Sequence, residues 1–284
     1  MDVLIHKIYG FLSKNNKYRI QSYVDDLSIH HQAKLTYISD LVHKQVQYMK
    51  IKPNEHRQDF ILSKIQDYLS RSMSMTMSIT MSTTMTMNVH MVDIGGGNGN
   101  ILSGLNDTYQ LPKTNFMCVE TKSEWVESYS FNHSNITYLF WENDHMPIPD
   151  HTCDVVFCMV SLHHMTDDTI LQTIKEINRI MKKGGLLIIK EHDANNEKSN
   201  HLIHWEHHLY HILDCAYQNK VIDIEHYTAH TIHNFKSKEL WQHMITQQHG
   251  FEWIERTNRF LDGPFTNNDQ KNITRLYWDI YKCI

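Results

Sequence analysis

Residues 92–100, VDIGGGNGN, place one acid and four glycines where a short apolar run ends. The acid is Asp93, and Gly95, Gly97 and Gly99 follow it at alternate positions. Glycine adopts left-handed backbone at low cost and lets another group approach the main chain closely. The stretch therefore predicts a turn after a strand, with a small molecule lying against the backbone.

A second acid, Glu120, ends the next apolar run, NFMCVE. A carboxylate at the tip of a strand can accept two hydrogen bonds from the hydroxyls of a ribose. A dinucleotide fingerprint read from Gly95 requires a third glycine at position 100, where the chain has Asn100. A simple tight turn with no ligand is the other alternative, and it does not explain the presence of Asp93 and Glu120.

Counted from Asp93, the loop reads D-x-G-x-G-x-G, which resembles motif I of the class I S-adenosylmethionine-dependent methyltransferases. Three further segments resemble the same family, of the type 11 kind: WENDHMPIPDHTCDVVF at 141–157, MVSLHHM at 159–165 and INRIMKKGGLLII at 177–189. The resemblance is dense over 88–192 and looser in the C-terminal strands. The chain is also loosely similar to uncharacterised methyltransferase-like proteins of large DNA viruses.

This resemblance implies S-adenosyl-L-methionine as methyl donor. It implies that Asp93 faces the amino group of the donor, that the glycines admit the backbone, and that Glu120 takes the ribose hydroxyls. Glu142 or Asn143 would contact the adenine, although the family has aspartate where this chain has Glu142. The predicted cofactor site comprises Asp93, Gly95, Gly97, Gly99, Glu120, Glu142, Asn143 and Cys158.

Candidate groups on the acceptor side follow the fourth and fifth predicted strands. They are Ser161, His163, His164, Glu191, His192 and Asp193. Methyl transfer requires a base only where the acceptor is protonated, and histidine titrates near neutral pH. His164 and His192 are the predicted catalytic residues, the alternative being that they cap or pack the strand ends.

A histidine-rich stretch, HLIHWEHHLYH, predicts a helix with His201, His204, His208 and His211 on one face. The pair His204 and His208 has the spacing of zinc ligands. The HExxH pattern is absent, however, and the sequence offers no evident outside ligand. The prediction is that the chain holds no metal and that this face is polar or lines the acceptor pocket.

Alternating strand and helix patterns after residue 88 predict a doubly wound α/β fold of the Rossmann type. Its seven-stranded sheet is mostly parallel with an antiparallel C-terminal strand, and N-terminal helices precede it. A helix from Thr166 ends at Gly184, with Lys182 and Lys183 in its last turn. The predicted divisions are a helical extension at 1–71, a low-complexity Met/Ser/Thr linker at 72–88 and a methyltransferase domain at 89–284, with a helical insertion at about 195–235.

The net charge of −5 gives no bulk attraction to nucleic acid. Five cysteines without a CxxC pair indicate reduced thiols, hence a cytoplasmic location, and no apolar run is long enough to cross a membrane. The predicted function is methyl transfer to an unidentified acceptor, with a small molecule or a protein favoured. An RNA methyltransferase and an inactive cofactor-binding partner subunit are the alternatives, nucleic acid is not indicated as a partner, and the oligomeric state is open.

Overall fold

The computed structural model describes residues 58–67, 89–121, 131–141, 145–197, 199–200, 203–204, 207–208, 211, 224–247, 250–257 and 276–284. The predicted linker at 72–88 and most of the predicted N-terminal extension lie outside these residues. Within the described part, residues 58–67 are helical.

One seven-stranded sheet forms the centre of the molecule, as predicted. Its strands are β1 (Met91–Ile94), β2 (Phe116–Thr121), β3 (Thr137–Trp141), β4 (Cys153–Met159), β5 (Met181–His192), β6 (Phe251–Thr257) and β7 (Leu276–Cys283), and their order across the sheet is β3-β2-β1-β4-β5-β7-β6. The first five are parallel, and β7 is antiparallel to both of its neighbours. The strand order reverses direction on either side of β1, which puts the end of β1 at the position where doubly wound sheets bind ligands.

Helices cover both faces of the sheet. They are α1 (Asn100–Tyr109), α2 (Asp167–Ile180), α3 (Ile224–His230) and α4 (Lys238–Gln247). One buried cluster joins α2 and α4 to strand residues such as Val92 and Val156. The other joins α1 and the segment 58–67 to strand residues such as Met91 and Val155. Neighbouring strand residues thus enter opposite clusters, as expected of strands buried on both faces.

Helix α2 begins as predicted but ends earlier. The Thr166 side chain accepts a hydrogen bond from the Thr169 N–H, as an N-cap residue does. The helix ends at Ile180 instead of Gly184, because the N–H groups of His151 and Thr152 take the carbonyls of Arg179 and Ile180.

The chain continues from α2 directly into β5, so Lys182 and Lys183 lie in that strand and not in a last helical turn. Met181 pairs with Cys153, and the register with β4 shifts before Leu186 pairs with Val155. Gly184, at φ +83°, absorbs this irregularity. Lys182 forms an ion pair with Asp154, at 2.8 Å.

The Met146–Asp150 loop that precedes β4 is anchored to α2 by a buried ion pair. The Glu176 carboxylate accepts the Met146 N–H at 2.8 Å and pairs with Arg179 at 2.7 Å. Arg179 also donates to the Met146 and Ile148 carbonyls and pairs with Asp150. The M-P-I-P-D segment therefore has a structural role in positioning the entry to β4.

Among the helices that the structure describes, none combines the length and the apolar character needed to cross a bilayer.

Candidate active site

The glycine loop leaves the end of β1 in a left-handed path. Gly95, Gly97 and Gly99 have φ values of +70°, +61° and +75°, a region that side chains disfavour. The Gly95 N–H donates to the Val119 carbonyl at 2.9 Å, and Gly99 is the N-cap of α1. The alternate glycines recognised in the sequence are thus required by the backbone itself.

Side chains beneath the loop leave no room for a Cβ. A Cβ on Gly95 would lie 2.5 Å from the Ser161 Cβ, and one on Gly96 would lie 2.6 Å from Oδ2 of Asp93. The Ser161 hydroxyl donates to the Ile94 carbonyl at 3.0 Å, which ties the end of β4 to the end of β1. Gly96 is therefore as constrained as its neighbours, a requirement that the D-x-G-x-G-x-G spacing did not show.

The two predicted acids converge on this loop. Asp93 is buried under Gly96, and the Glu120 carboxylate at the tip of β2 accepts the Gly97 N–H. Cys118 lies between them, and burial together with the charges of Asp93 and Glu120 raises the pKa of its thiol. Two carboxylates beside a glycine loop suit an ammonium group and ribose hydroxyls, whereas a pyrophosphate would be repelled.

The other predicted cofactor residues fall into two groups. Glu142 and Asn143 lie outside the described residues. Cys158 is fully buried in β4, beside Ile94 of β1 and Ile189 of β5. Burial raises the pKa of its thiol, with the charges of Asp93 and Glu191 acting in the same direction. Cys158 therefore lies between Asp93 beneath the glycine loop and Glu191 at the end of β5.

Three histidines from distant parts of the chain meet beyond β4 and β5. His163 follows β4, His192 ends β5, and His207 belongs to the helical residues after it. All three side chains are buried, and one ring nitrogen of each histidine lies within 4.8 Å of a ring nitrogen of the other two. His164, one of the two predicted bases, is exposed, and its Nδ1 donates to the Ile232 carbonyl at 3.0 Å.

Glu191 fixes the central histidine of this cluster. Its Oε2 lies 2.6 Å from Nδ1 of His163, and its Oε1 accepts the Leu162 N–H at 3.0 Å. Nε2 of His163 in turn lies 2.9 Å from Nε2 of His207. Burial lowers the pKa of His163 and raises the pKa of Glu191 to about 7. When no other cation is bound, a single proton shared among Glu191, His163 and His207 satisfies these two contacts.

The predicted histidine face of the following helix does not act as a unit. His204 packs against His233 and Phe235, whereas His208 lies 3.2 Å from the Thr228 hydroxyl and His211 stacks on Tyr227. His201 lies outside the described residues. His207, which sequence reasoning did not select as a site residue, is the member that reaches the strand ends. The only hint of His207 in the sequence was its position in the histidine-rich stretch, one residue before His208.

Comparison with known proteins agrees with this geometry. Residues 92–189 match the type 11 methyltransferase family, described as a methyltransferase domain. No curated protein sequence matches the chain. The matched range begins in β1, just before the glycine loop, and ends in β5.

Several solved structures are similar to this chain at low identity. A Thermotoga maritima protein, described as an S-adenosylmethionine-dependent methyltransferase and possible histamine N-methyltransferase, is 14% identical, with 81% of this chain and 99% of that chain covered and a TM-score of 0.43. A Haloferax volcanii methyltransferase in complex with the Trm112 activator is 17% identical, with 69% and 82% covered and a TM-score of 0.43. An Aquifex aeolicus S-adenosylmethionine-dependent methyltransferase is 14% identical, with 69% and 82% covered and a TM-score of 0.42.

The sheet order, the glycine loop between two acids and the matched domain define a class of protein. Residues 92–189 of this chain are similar to the methyltransferase domain of the type 11 family. The chain is an S-adenosylmethionine-dependent methyltransferase, with S-adenosyl-L-methionine as its methyl donor.

Proposed function

We propose that this enzyme methylates a small-molecule or protein acceptor that enters beside the histidines at the ends of β4 and β5. The observation that supports this most directly is the convergence of Asp93 and Glu120 on a glycine loop that is held against β4 through Ser161. The donor side and the acceptor side therefore share one crevice at the carboxyl ends of the strands.

On the donor side, Asp93 provides negative charge under the loop for the amino group of the donor. Gly95, Gly97 and Gly99 bring the backbone close, and Glu120 accepts the ribose hydroxyls. Bound S-adenosylmethionine supplies an activated methyl group on a positively charged sulfur, and displacement occurs in line with the incoming nucleophile. The main task of the protein is to hold the reacting atoms in that alignment.

On the acceptor side, His164 is the better placed of the two predicted bases. Its Nδ1–H is donated to the Ile232 carbonyl, so its Nε2 carries the lone pair. Desolvation and the neighbouring His163 lower the pKa of His164 to about 4, so the ring is neutral at pH 7 and can take a proton only from an acidic or activated acceptor. His192 is buried within the histidine cluster and contacts its rings. A base on the exposed side chain is accessible to an acceptor arriving from solvent.

Donor binding is tested by Gly97→Ala, with binding of S-adenosylhomocysteine measured by calorimetry. We expect a loss of at least tenfold in affinity, because a methyl group at φ +61° strains the loop, at a cost of about 1–2 kcal/mol, and crowds the donor. Glu120→Gln should weaken the same binding without adding backbone strain.

Gly184→Ala is the matched control for that experiment. Gly184 has φ +83°, so the substitution introduces comparable strain, but a Cβ there meets nothing within 4 Å and lies away from the loop. Unchanged affinity in Gly97→Ala, or an equal loss in Gly184→Ala, would contradict the assignment of the loop.

The acceptor is sought by incubating the enzyme with methyl-labelled donor and fractionated cell extract. Label in a small-molecule or protein fraction supports the proposal, and label confined to RNA would replace it with the RNA alternative. Donor binding without transfer to any fraction would indicate an inactive partner subunit.

We also propose that the enzyme works in a reducing, cytoplasm-like compartment. Cys118, Cys153, Cys158 and Cys283 are buried free thiols, and the described residues contain no disulfide between them. Mass spectrometry of the alkylated protein isolated from its native cells should find these four thiols reduced.

A further inference from the structure

We propose that His163, His192 and His207 bind a divalent transition-metal ion of the zinc type, with Glu191 orienting His163. The proposal departs from the prediction made from the sequence, which weighed a zinc pair such as His204 and His208 and favoured no metal. It also goes beyond the proposed function, because a site of this kind can be loaded and measured without any methyl donor.

The direction of the hydrogen bonds around His207 provides the first argument. Nδ1 of His207 lies 2.9 Å from the Ile203 carbonyl oxygen, and a carbonyl can only accept. Nδ1 therefore carries the hydrogen, so in the neutral ring Nε2 presents its lone pair toward His163.

The contacts of His163 likewise indicate a lone pair on its Nε2, facing Nε2 of His207. The Glu191 carboxylate accepts the N–H groups of Leu162 and His192 and lies against Nδ1 of His163. When Glu191 is ionised, the hydrogen of His163 lies on Nδ1, and its Nε2 also presents a lone pair. The two Nε2 atoms are 2.9 Å apart, so a proton or a metal ion must lie between the two lone pairs.

A third imidazole completes the group. His192 ends β5, and its ring centroid lies 5.3 Å from that of His163 and 4.9 Å from that of His207. Its ligand atom is within 4.8 Å of the ligand atoms of both. Nitrogens that bind zinc tetrahedrally at about 2.0–2.1 Å are separated by about 3.3 Å, so movements of about an ångström suffice to close the site.

The hydrogen bonds of the second ring nitrogens of His163 and His207 are those expected of metal-binding histidines. Histidines that bind metals commonly donate their second N–H to a carboxylate or a backbone carbonyl. Here Glu191 serves His163, and the Ile203 carbonyl serves His207. Three imidazole ligands suit zinc, and three protein ligands leave a fourth position for water or another molecule.

The position of the cluster links it to the rest of the active site. His163 lies two residues after Ser161, which packs under Gly95. The charges of Asp93 and Glu191 both act on the thiol of Cys158. The metal site therefore adjoins the donor loop, on the side from which an acceptor approaches.

Titration of the metal-stripped full-length protein with Co²⁺, in the absence of methyl donor, tests the proposal. Four-coordinate Co²⁺ has intense visible absorption that six-coordinate aqueous Co²⁺ lacks. We expect this spectrum to saturate at one ion per chain, and Zn²⁺ to displace the Co²⁺. Failure of the wild-type protein to develop the spectrum would overturn the proposal.

Variants assign the ligands. His207→Ala should lower Co²⁺ affinity by more than 100-fold, and Glu191→Gln should lower it by about 10–100-fold, as the loss of an orienting partner does. His226→Ala is the matched control, because His226 forms an exposed histidine pair with His230, four residues along the same helix. Equal losses in His207→Ala and His226→Ala would show surface binding only and would overturn the assignment.

Binding of S-adenosylhomocysteine to each variant separates this result from misfolding and from the proposed function. His207→Ala should retain wild-type affinity for S-adenosylhomocysteine while losing Co²⁺. If His207→Ala keeps its Co²⁺ affinity while donor binding is normal, the metal assignment is wrong and the methyltransferase function stands.

Discussion

At the residue scale, carboxylates with different partners perform different tasks. Asp93 and Glu120 flank the glycine loop, whereas Glu191 holds an imidazole, and Asp150 and Asp154 pair with Arg179 and Lys182. The last two acids belong to the segment that resembles the family most closely. Their function is to secure the entry to β4, so a recognisable motif here is partly a structural one.

The role of His164 is open to a direct test at this scale. If His164 takes the acceptor proton, His164→Gln should lower the rate of labelled methyl transfer by about 10²–10⁴-fold. Affinity for S-adenosylhomocysteine should stay within twofold of wild type, because the side chain lies outside the donor loop. The measurement compares His164→Gln with the exposed control His226→Gln, and an unchanged rate in His164→Gln would exclude the assignment.

At the element scale, α2 positions the segment that leads into β4. Glu176 is nearly inaccessible to solvent, and burial by itself would raise its pKa. The hydrogen bonds from Arg179, the Met146 N–H and His145 outweigh burial, so the pKa of Glu176 is lowered from its ordinary value of 4.5. The ionised carboxylate is therefore the form that stabilises the fold.

This leads to a prediction about acid stability. A group whose pKa is lowered by folding contributes fully above its ordinary pKa, and the contribution is lost as the pH falls through the lowered value. Glu176→Gln should cost about 1.5–3 kcal/mol at pH 7, where a hydrogen-bonded charge is removed. The difference between wild type and Glu176→Gln should shrink as the pH falls below about 4.5. Urea unfolding at several pH values measures it.

Glu239→Gln is the control for that series, because the Glu239 side chain is 65% exposed and lies at the start of α4. Its effect on the free energy of unfolding should be small at every pH. A difference between wild type and Glu176→Gln that does not change with pH would contradict the role of the ionised carboxylate.

At the scale of the whole molecule, the helical segment 58–67 is part of the sheet domain's core. Phe60 contacts Trp278 of β7 with ring centroids 4.4 Å apart, and Lys64 pairs with Glu255 of β6. The Gln58 side chain donates to the Asn100 carbonyl of α1. Gly104, also in α1, has no side chain and so leaves room for Gln58. The prediction of a helical extension at 1–71 is not tested as a whole, but residues 58–67 of it pack into this core.

The segment's contribution to stability can be measured with two adjacent residues. Ile61 is fully buried, and Ile61→Ala should lower the free energy of unfolding by about 2–5 kcal/mol, the usual cost of such a cavity. Leu62, its neighbour, is only partly buried, so Leu62→Ala should cost clearly less. Equal costs in urea unfolding would indicate that the segment does not pack as described.

The sequence alone was sufficient for features that local patterns encode. Apolar runs predicted the parallel strands and the antiparallel C-terminal pair, and the spacing from Asp93 predicted the glycine turn, because strand periodicity and glycine backbone requirements are local properties. The predicted end of α2 was wrong, since amides of the 151–152 loop, distant in sequence, take the last carbonyls of the helix.

Only the tertiary structure brought His163, His192 and His207 together. Each comes from a different element, and nothing in the spacing of the histidine-rich stretch distinguished His207 from its neighbours. The sheet order places the ends of β4 and β5 side by side, and packing of the following helical residues then decides which histidine faces inward. Contacts between distant elements depend on that packing, and a local pattern cannot specify them.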